Sequence, residues 1–505
     1  MVDGGAVTAR RPAPAGPCSA SGVLGSVLVR TAGATTPPSR GVRMSAGFGE
    51  ALTADSGAGP HRPWRGLHHP VRMVVVGFGL GVLVGTAVLA LPLSRTGPGG
   101  ADLLTALFTA TSALCVTGLV VVDTATYWSP FGQATILALI QVGGFGIMTL
   151  ASLLGLLISR RLGLSTRMAA ATETKSVGLG DVRRVLLGVA RITLTVEAAT
   201  ALVLTVRFAT TYRHPLAESV WLGVFHSVSA FNNAGFALFA DNLVGFAGDP
   251  WVCLPVVGAV IVGGLGFPVV LEVLREHRHA RRWSVHTRLT LLMTAVLLVG
   301  GTLFMLAAEW TNPHTLGALD PPARVLAGFF QAVMPRTAGF NSVDPGAMNA
   351  GTLLASDVLM FIGGGSAGTA GGIKVGTFAV LLLAILAELR GAPDVELFDR
   401  RLSPATIRQA LAVSLLGVAA VVSATLLIAT TSRYSLDQVL YEVVSAFATV
   451  GLSTGITDDL APGHQLVLVV LMFAGRLGPV TFASALVLRE SGRLFRRPEG
   501  RPLIG

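Results

Sequence analysis

Four short segments of this chain end in glycine and contain no carboxylate: Cys115-Val116-Thr117-Gly118, Asn232-Asn233-Ala234-Gly235, Arg336-Thr337-Ala338-Gly339 and Ala448-Thr449-Val450-Gly451. Their terminal glycines are 117, 104 and 112 residues apart. The only oxygens all four share are main-chain carbonyls. Carbonyl oxygens can replace the hydration shell of a monovalent cation without adding charge, whereas a divalent-cation filter is usually built on an acidic ring. Turning successive carbonyls the same way strains the backbone, and glycine relieves this by accepting positive φ. A short helix before each segment would aim its negative C-terminal end at the cation. The predicted chemistry is therefore coordination of a bare monovalent cation by four converging loops.

A second glycine cluster follows each segment: Gly143-Gly144, Gly263-Gly264, Gly363-Gly364-Gly365 and Gly475. These begin 25, 28, 24 and 24 residues after the loop glycine. Two features recurring in step indicate an internal repeat. Close helix contact explains the second clusters by themselves, and bends in the helices are the other expectation. Neither accounts for the loops. The third cluster opens the string Gly363–Lys374, "GGGSAGTAGGIK", with six glycines. As a continuous helix it would cost roughly 1 kcal/mol per glycine relative to alanine, so an irregular loop is expected.

The elements that position these segments follow from composition. The chain has 505 residues, 52% hydrophobic and 13% charged, with a mean hydropathy of +0.68. A soluble protein carries about 25% charged residues. Eight apolar stretches are long enough to span a bilayer: Val71–Leu93, Phe131–Ile158, Val185–Phe208, Trp251–Leu274, Leu289–Ala308, Ala355–Leu389, Ile407–Thr430 and Gln465–Leu488. Between members of each pair lie shorter half-apolar segments, Asp102–Leu114, Leu216–Phe231, Pro322–Met334 and Leu436–Phe447. Re-entrant segments of this kind are tolerated only when buried in protein or lining a watery cavity. The predicted fold class is an all-α polytopic membrane protein with four pseudo-repeats of helix, pore loop and helix around a central pore.

The formal net charge of +10 has the same explanation. Loops joining the pairs, with the C-terminal tail, hold 21 basic residues against 6 on the other side. By the positive-inside rule the first set and both termini are cytoplasmic, and a nucleic-acid role is not needed. Residues 1–69, rich in Gly, Ala, Pro, Ser and Arg, read as a disordered cytoplasmic tail. The repeats are then 70–175, 176–285, 286–400 and 401–490, with a cytoplasmic tail at 491–505. Cys18, Cys115 and Cys253 support neither a disulfide framework nor a zinc site.

Charges inside the spans are few and expected to be functional. Lys374 is one of only two lysines, and Arg476 falls in the last span. Arg476 is expected to set an electrostatic barrier beneath the filter and to pair with the 363–374 loop. Alternatively, each of these side chains snorkels or caps a carbonyl. Arg336 needs a buried acceptor, with Glu218 and Glu442 the positional choices. Glu197 is expected to pair with Arg191 or face water.

The strings "TATSALCVTGL", "SAFNNAGF", "PRTAGFN", "GGGSAGTAGGIK" and "SAFATVGLSTGI", in order over about residues 70–490, resemble the membrane subunit of the Trk/Ktr/HKT potassium-transporter superfamily. The resemblance implies a four-repeat pore in one chain, the four glycine-ended segments as its filter, and a homodimer. It also implies a cytoplasmic ring of regulatory subunits that carry the nucleotide, with no cofactor in this chain. It assigns Gly363, Gly364, Gly365, Ser366, Gly368, Thr369, Gly371, Gly372 and Lys374 to an intramembrane gate, which Arg476 would face. Glycine at all four filter ends goes with potassium in the family; serine in the first loop is associated with sodium in some plant members. Cys115 departs from the usual hydroxyl residue. The lack of a span in residues 1–69 is more Ktr-like than Trk-like.

The expected function is potassium uptake across the cell membrane. The alternatives are a sodium-selective or sodium-coupled transporter of the same fold, and a carrier of an organic solute. An enzyme is not expected: the chain has no nucleophile–base set, HExxH motif or P-loop, and His226 and His286 lack partners at metal-ligand spacing.

Overall fold

The computed structural model describes residues 70–161, 179–398 and 400–487. The expectations for residues 1–69 and for the C-terminal tail lie outside the described residues. What is described is almost entirely helical. The one sheet among the described residues is a pair of two-residue strands, β1 (Glu396–Leu397) and β2 (Arg400–Arg401).

The first repeat holds α1 (Pro70–Leu89), a short helix α2 (Leu103–Leu114), a single turn α3 (Thr124–Tyr127) and α4 (Pro130–Arg161). The second holds α5 (Leu179–Thr210), a short helix α6 (Leu216–Phe231), α7 (Pro250–Leu265) and α8 (Phe267–Arg275). The third has α9 (Val285–Glu309), a short helix α10 (Pro321–Val333), α11 (Ala350–Phe361) and α12 (Val375–Leu389). The fourth has α13 (Pro404–Thr431), a short helix α14 (Leu436–Ala448) and α15 (Pro462–Val487).

Local chemistry starts three of the four short helices. The Asp102 side chain accepts from Leu104 N at 3.0 Å to cap α2. Pro321 opens α10, where a missing N–H costs nothing. Ser435 and Gln438 form a reciprocal capping box on α14.

Among the described residues, four helices are long and apolar enough to cross a membrane, or five with a bent pair counted once. The outer helix α9 buries only 17% of its most apolar stretch, and Leu292, Val296, Val299 and Leu303 are all more than half exposed. Such an apolar exterior suits a hydrocarbon solvent. The short helices are the reverse, with most of α2 and α14 buried.

Two inner helices are broken. The expected continuous span Trp251–Leu274 is instead α7 and α8, bent by 100° at Gly266. Gly266 has φ +93, and Pro268 sits in the first turn of α8, so the backbone turns where glycine allows it and restarts at proline. The third inner helix stops at Phe361 and restarts at Val375, leaving the glycine-rich string as a loop. By contrast, α4 and α15 run unbroken through Gly143-Gly144 and Gly475. A Cβ at Gly143, Gly263 or Gly475 would collide with the carbonyl oxygen of Leu114, Phe231 or Phe447 respectively. At these three places glycine lets the end of a short helix rest on an inner helix; bending is not its role in α4 or α15.

The packing is cyclic. Each short helix contacts the inner helix of the preceding repeat: α6 on α4, α10 on α7, α14 on α11, and α2 on α15.

Candidate functional site: four backbone loops and a crossing segment

The four glycine-ended segments lie at the C-terminal ends of the short helices, at the centre of this cycle. Fifteen of their sixteen residues are buried, Gly451 being half-buried. Each carries two positive-φ residues, at the terminal glycine and two residues earlier. The pairs are Val116 (+56) with Gly118 (+94), Asn233 (+58) with Gly235 (+70), Thr337 (+70) with Gly339 (+74), and Thr449 (+51) with Gly451 (+97). The glycines follow from the sequence expectation. The earlier member does not: a positive φ at a β-branched valine or threonine is strained and persists only where the surroundings over-determine it.

The glycines also touch in order. A Cβ on Gly118 would strike Ala234 O, and one on Gly235 would lie 2.9 Å from Ala338 O and 2.7 Å from Gly339 Cα. One on Gly339 would strike Val450 O, and one on Gly451 would strike Thr117 O. The contacts run first to second to third to fourth and back to first. Glycine is thus required twice at each position, by conformation and by space.

Each segment is tied to its own short helix. Thr117 N, Ala234 N and Val450 N donate to the carbonyls of Ser112, Ser229 and Ser445, all at 2.8 Å. Ser112 Oγ and Ser445 Oγ accept from Gly118 N and Gly451 N at 3.0 Å, and Ser229 Oγ donates to Phe236 O at 2.8 Å. The third repeat has Val333 in the serine position, and Ala338 N donates to Met334 O at 3.0 Å. Beyond the glycine, a polar side chain on the short helix holds the departing strand. His226 Nε2 accepts from Leu238 N at 3.2 Å, Gln331 Oε1 from Ser342 N at 3.3 Å, and Glu442 Oε1 from Thr454 N at 2.9 Å. His226 Nδ1 must then carry the proton and donate to Leu222 O at 2.7 Å, so this histidine is a satisfied core residue.

The ion-pair expectations need correction. Glu442 is taken by Ser453, Thr454 and Thr457, and Glu218 faces solvent beside His214. Arg336 instead donates to two carbonyls, Gly363 O at 3.3 Å and Thr294 O at 3.5 Å. Glu197 does not pair with Arg191. It accepts from Asn232 Nδ2 at 3.1 Å and Gln141 Nε2 at 3.3 Å. Only the Glu197–Gln141 contact crosses repeats; the other partners lie within the same repeat, on elements that the sequence alone does not bring together.

The 363–374 loop lies against the inner ends of the second and fourth segments. Gly365 N and Thr369 N donate to Gly264 O (2.8 Å) and Gly263 O (3.1 Å), and Phe267 N to Ala367 O (3.2 Å). Thr369 Oγ1 donates to Asn233 Oδ1 at 3.0 Å, and a Cβ on Gly371 would strike Thr449 Oγ1. The Ser366 carbonyl fills the space beside Gly266, while Gly368 backs onto Gly263 O. Gly372 turns the chain at φ +64, and Val375 N reaches back to Gly364 O at 3.0 Å.

Lys374 Nζ donates to Ala370 O at 2.5 Å and Gly371 O at 3.3 Å, so it caps carbonyls of its own loop. Arg476 reaches further, binding Thr369 O in the loop and Gly143 O in α4 at 3.4 Å. Three cations, the buried Arg336 and Arg476 and the half-buried Lys374, thus hold the loop through main-chain oxygens, and none meets a carboxylate among the described residues. No cluster of three or more His, Cys, Asp or Glu able to hold a metal occurs among the described residues.

Residues missed from the sequence include Ser112, Ser229 and Ser445. Their signal was present, as a serine six residues before the loop glycine in three repeats.

The sequence matches the TrkH family, described as "Cation transport protein", over residues 89–497. It is 39% identical over 436 residues to Ktr system potassium uptake protein B of Bacillus subtilis, covering 86% of this chain and 97% of that protein. It is 33% identical over 443 residues to potassium/sodium uptake protein NtpJ of Enterococcus hirae, covering 86% of this chain and 97% of the relative. In fold it is similar to the potassium transporter TrkH of Vibrio parahaemolyticus, with a TM-score of 0.66 at 18% identity, covering 84% of this chain and 85% of that one.

Proposed function

This chain belongs to the TrkH family of cation transport proteins, as a membrane subunit of the Ktr type, and from that premise we propose that it takes up potassium through a pore enclosed by its four repeats. It is a transport protein and not an enzyme. Eight spans cross the membrane around that pore, with α11–α12 and α7–α8 each a broken one. Carbonyls of the four glycine-ended segments strip and replace the water of the ion. The observation that carries this reading is the closed order of contacts among Gly118, Gly235, Gly339 and Gly451. Four strained segments meeting around one axis have no use in a helix-packing unit.

The 363–374 loop is the gate. It occupies the inner end of the pathway, and Arg476 clamps it to α4 while adding a positive barrier. Opening requires the Arg476–Thr369 and Thr369–Asn233 contacts to separate. A cytoplasmic regulatory partner, carrying the nucleotide that this chain has no motif to bind, drives that separation. Ktr system relatives support such a partner. The active assembly is a homodimer in the cell membrane with both termini cytoplasmic, as the distribution of arginines favours.

Growth of a bacterium lacking potassium uptake, on low potassium and with or without a Ktr-type partner, tests this. Rescue is expected, and it should be stronger with the partner. Failure of both, with the protein present in the membrane, would count against the reading. A second reading, in which sodium is a substrate or coupled ion, is favoured by the name of the Enterococcus relative. Sodium flux in reconstituted vesicles separates the two.

A further inference from the structure

Behind the second filter segment lies a buried carboxylate with no cation. Glu197 is 6% exposed, midway along the apolar helix α5. Asn232, the first residue of the second segment, spreads its amide over three acceptors: Gln141 Oε1 at 2.8 Å, Val228 O at 2.9 Å and Glu197 Oε1 at 3.1 Å. Gln141, on α4, closes the cycle by donating to Glu197 Oε2 at 3.3 Å. Ser227 Oγ donates to the Glu197 carbonyl at 2.7 Å, locking α5 to α6. A Cβ at Gly144 would land on Asn232 Oδ1, so the inner helix of the first repeat is shaped to admit this side chain.

An ionised carboxylate buried in protein at membrane depth is expensive unless a positive charge compensates it. Two neutral amides do not supply one, and no ion pair to Glu197 occurs among the described residues. The proposed function provides a positive charge beside the Asn232 backbone, the ion in the filter, while the protein cation Arg476 is taken by Gly143 O and Thr369 O. The third segment has the opposite arrangement, since the corresponding first residue, Arg336, places a cation behind it.

We propose that Glu197 is a positioning residue for the transported cation. Through Asn232 it fixes the second filter strand, and a cation in the ring compensates its ionised form, so that carboxylate and ion stabilise each other. This rests on the filter assignment made above.

The test is potassium binding to purified protein by isothermal titration, beside uptake in cells, for the wild type, Glu197→Gln and Glu197→Asp. Glu197→Gln keeps the shape and removes the charge. It should weaken potassium binding about tenfold and raise the half-saturation concentration for uptake similarly, with the maximal rate within about twofold. Glu197→Asp, which keeps the charge, should remain within about threefold of wild type in both, and it carries the test if Glu197→Gln does not fold. A purely structural role would lower protein level and maximal rate and leave the affinity unchanged. Equal potassium affinity in wild type and Glu197→Gln, or an equal loss in Glu197→Asp, overturns the assignment while uptake by the wild type stands. A wild type that binds potassium tenfold better than Glu197→Gln but never supports uptake overturns the transport reading and leaves Glu197 in place.

Discussion

The third repeat is built differently from the other three at the same position. In the first, second and fourth repeats a serine on the short helix braces the glycine-ended segment, and the chain folds back on that helix five residues away. In the third repeat valine replaces the serine, and the first filter residue is an arginine that reaches out of its own segment to Gly363 O. The inner helix of that repeat is also the one opened into the 363–374 loop. The third segment is thus hydrogen-bonded to the start of the 363–374 loop through Arg336, as the second is to Thr369 through Asn233, while the serine brace is confined to the other three repeats. Under the proposed function, Arg336 is a direct link between the third segment and the gate.

The largest effect should come from removing what all four repeats share. Gly339→Ala adds a Cβ where Val450 O already sits and imposes a disfavoured φ. Uptake should fall by at least about a hundredfold with the protein still inserted; flux in vesicles measures it. Retained flux would mean that the glycines do not face a common pathway.

Next is the clamp. Arg476→Ala removes the contacts to Thr369 O and Gly143 O, and partner-independent flux should rise about tenfold as the loop loses its anchor. Unchanged conductance and regulation in reconstituted protein would sink the barrier role.

Arg336→Gln sharpens the comparison itself. Because it cuts the link to Gly363 O, it should change gating and potassium selectivity together, each by several-fold. A change in only one would show that the filter and the gate are separate in this repeat too. The smallest effect is expected at Ser445→Ala, which removes one hydrogen bond worth about 1 kcal/mol, or about fivefold in selectivity over sodium. It should leave gating untouched.

What the sequence disclosed, and what it hid, follow a physical division. Glycine is legible because little else occupies φ near +70 to +97 or lets two backbones touch, and the repeat made Gly118, Gly235, Gly339 and Gly451 readable as a set. The loop at 363–374 was legible for the same reason. The positive φ of Val116 and Thr449 was hidden, since nothing about these residues favours it; the packed surroundings impose it. The break at Gly266 was masked by hydropathy, because Gly266-Phe267-Pro268 lies within an apolar run. Its clue was the proline placed to start a new helix. Partners of Glu197 and Arg336 were misjudged because they are supplied by other elements brought close by the packing of helices, while Glu442 is taken by groups 11 to 15 residues further along its own repeat.

The contact of α2 with α15 has a consequence for how the protein is made. The wall beside the first glycine-ended segment is supplied by α15, the last of the described helices, and Gly118 meets its second neighbour only when Gly451 arrives. During synthesis the first three segments enter the membrane before their circle can close. The ring of four glycines is therefore the last feature to close, and a chain that ends before residue 462 lacks α15 and leaves α2 without that wall.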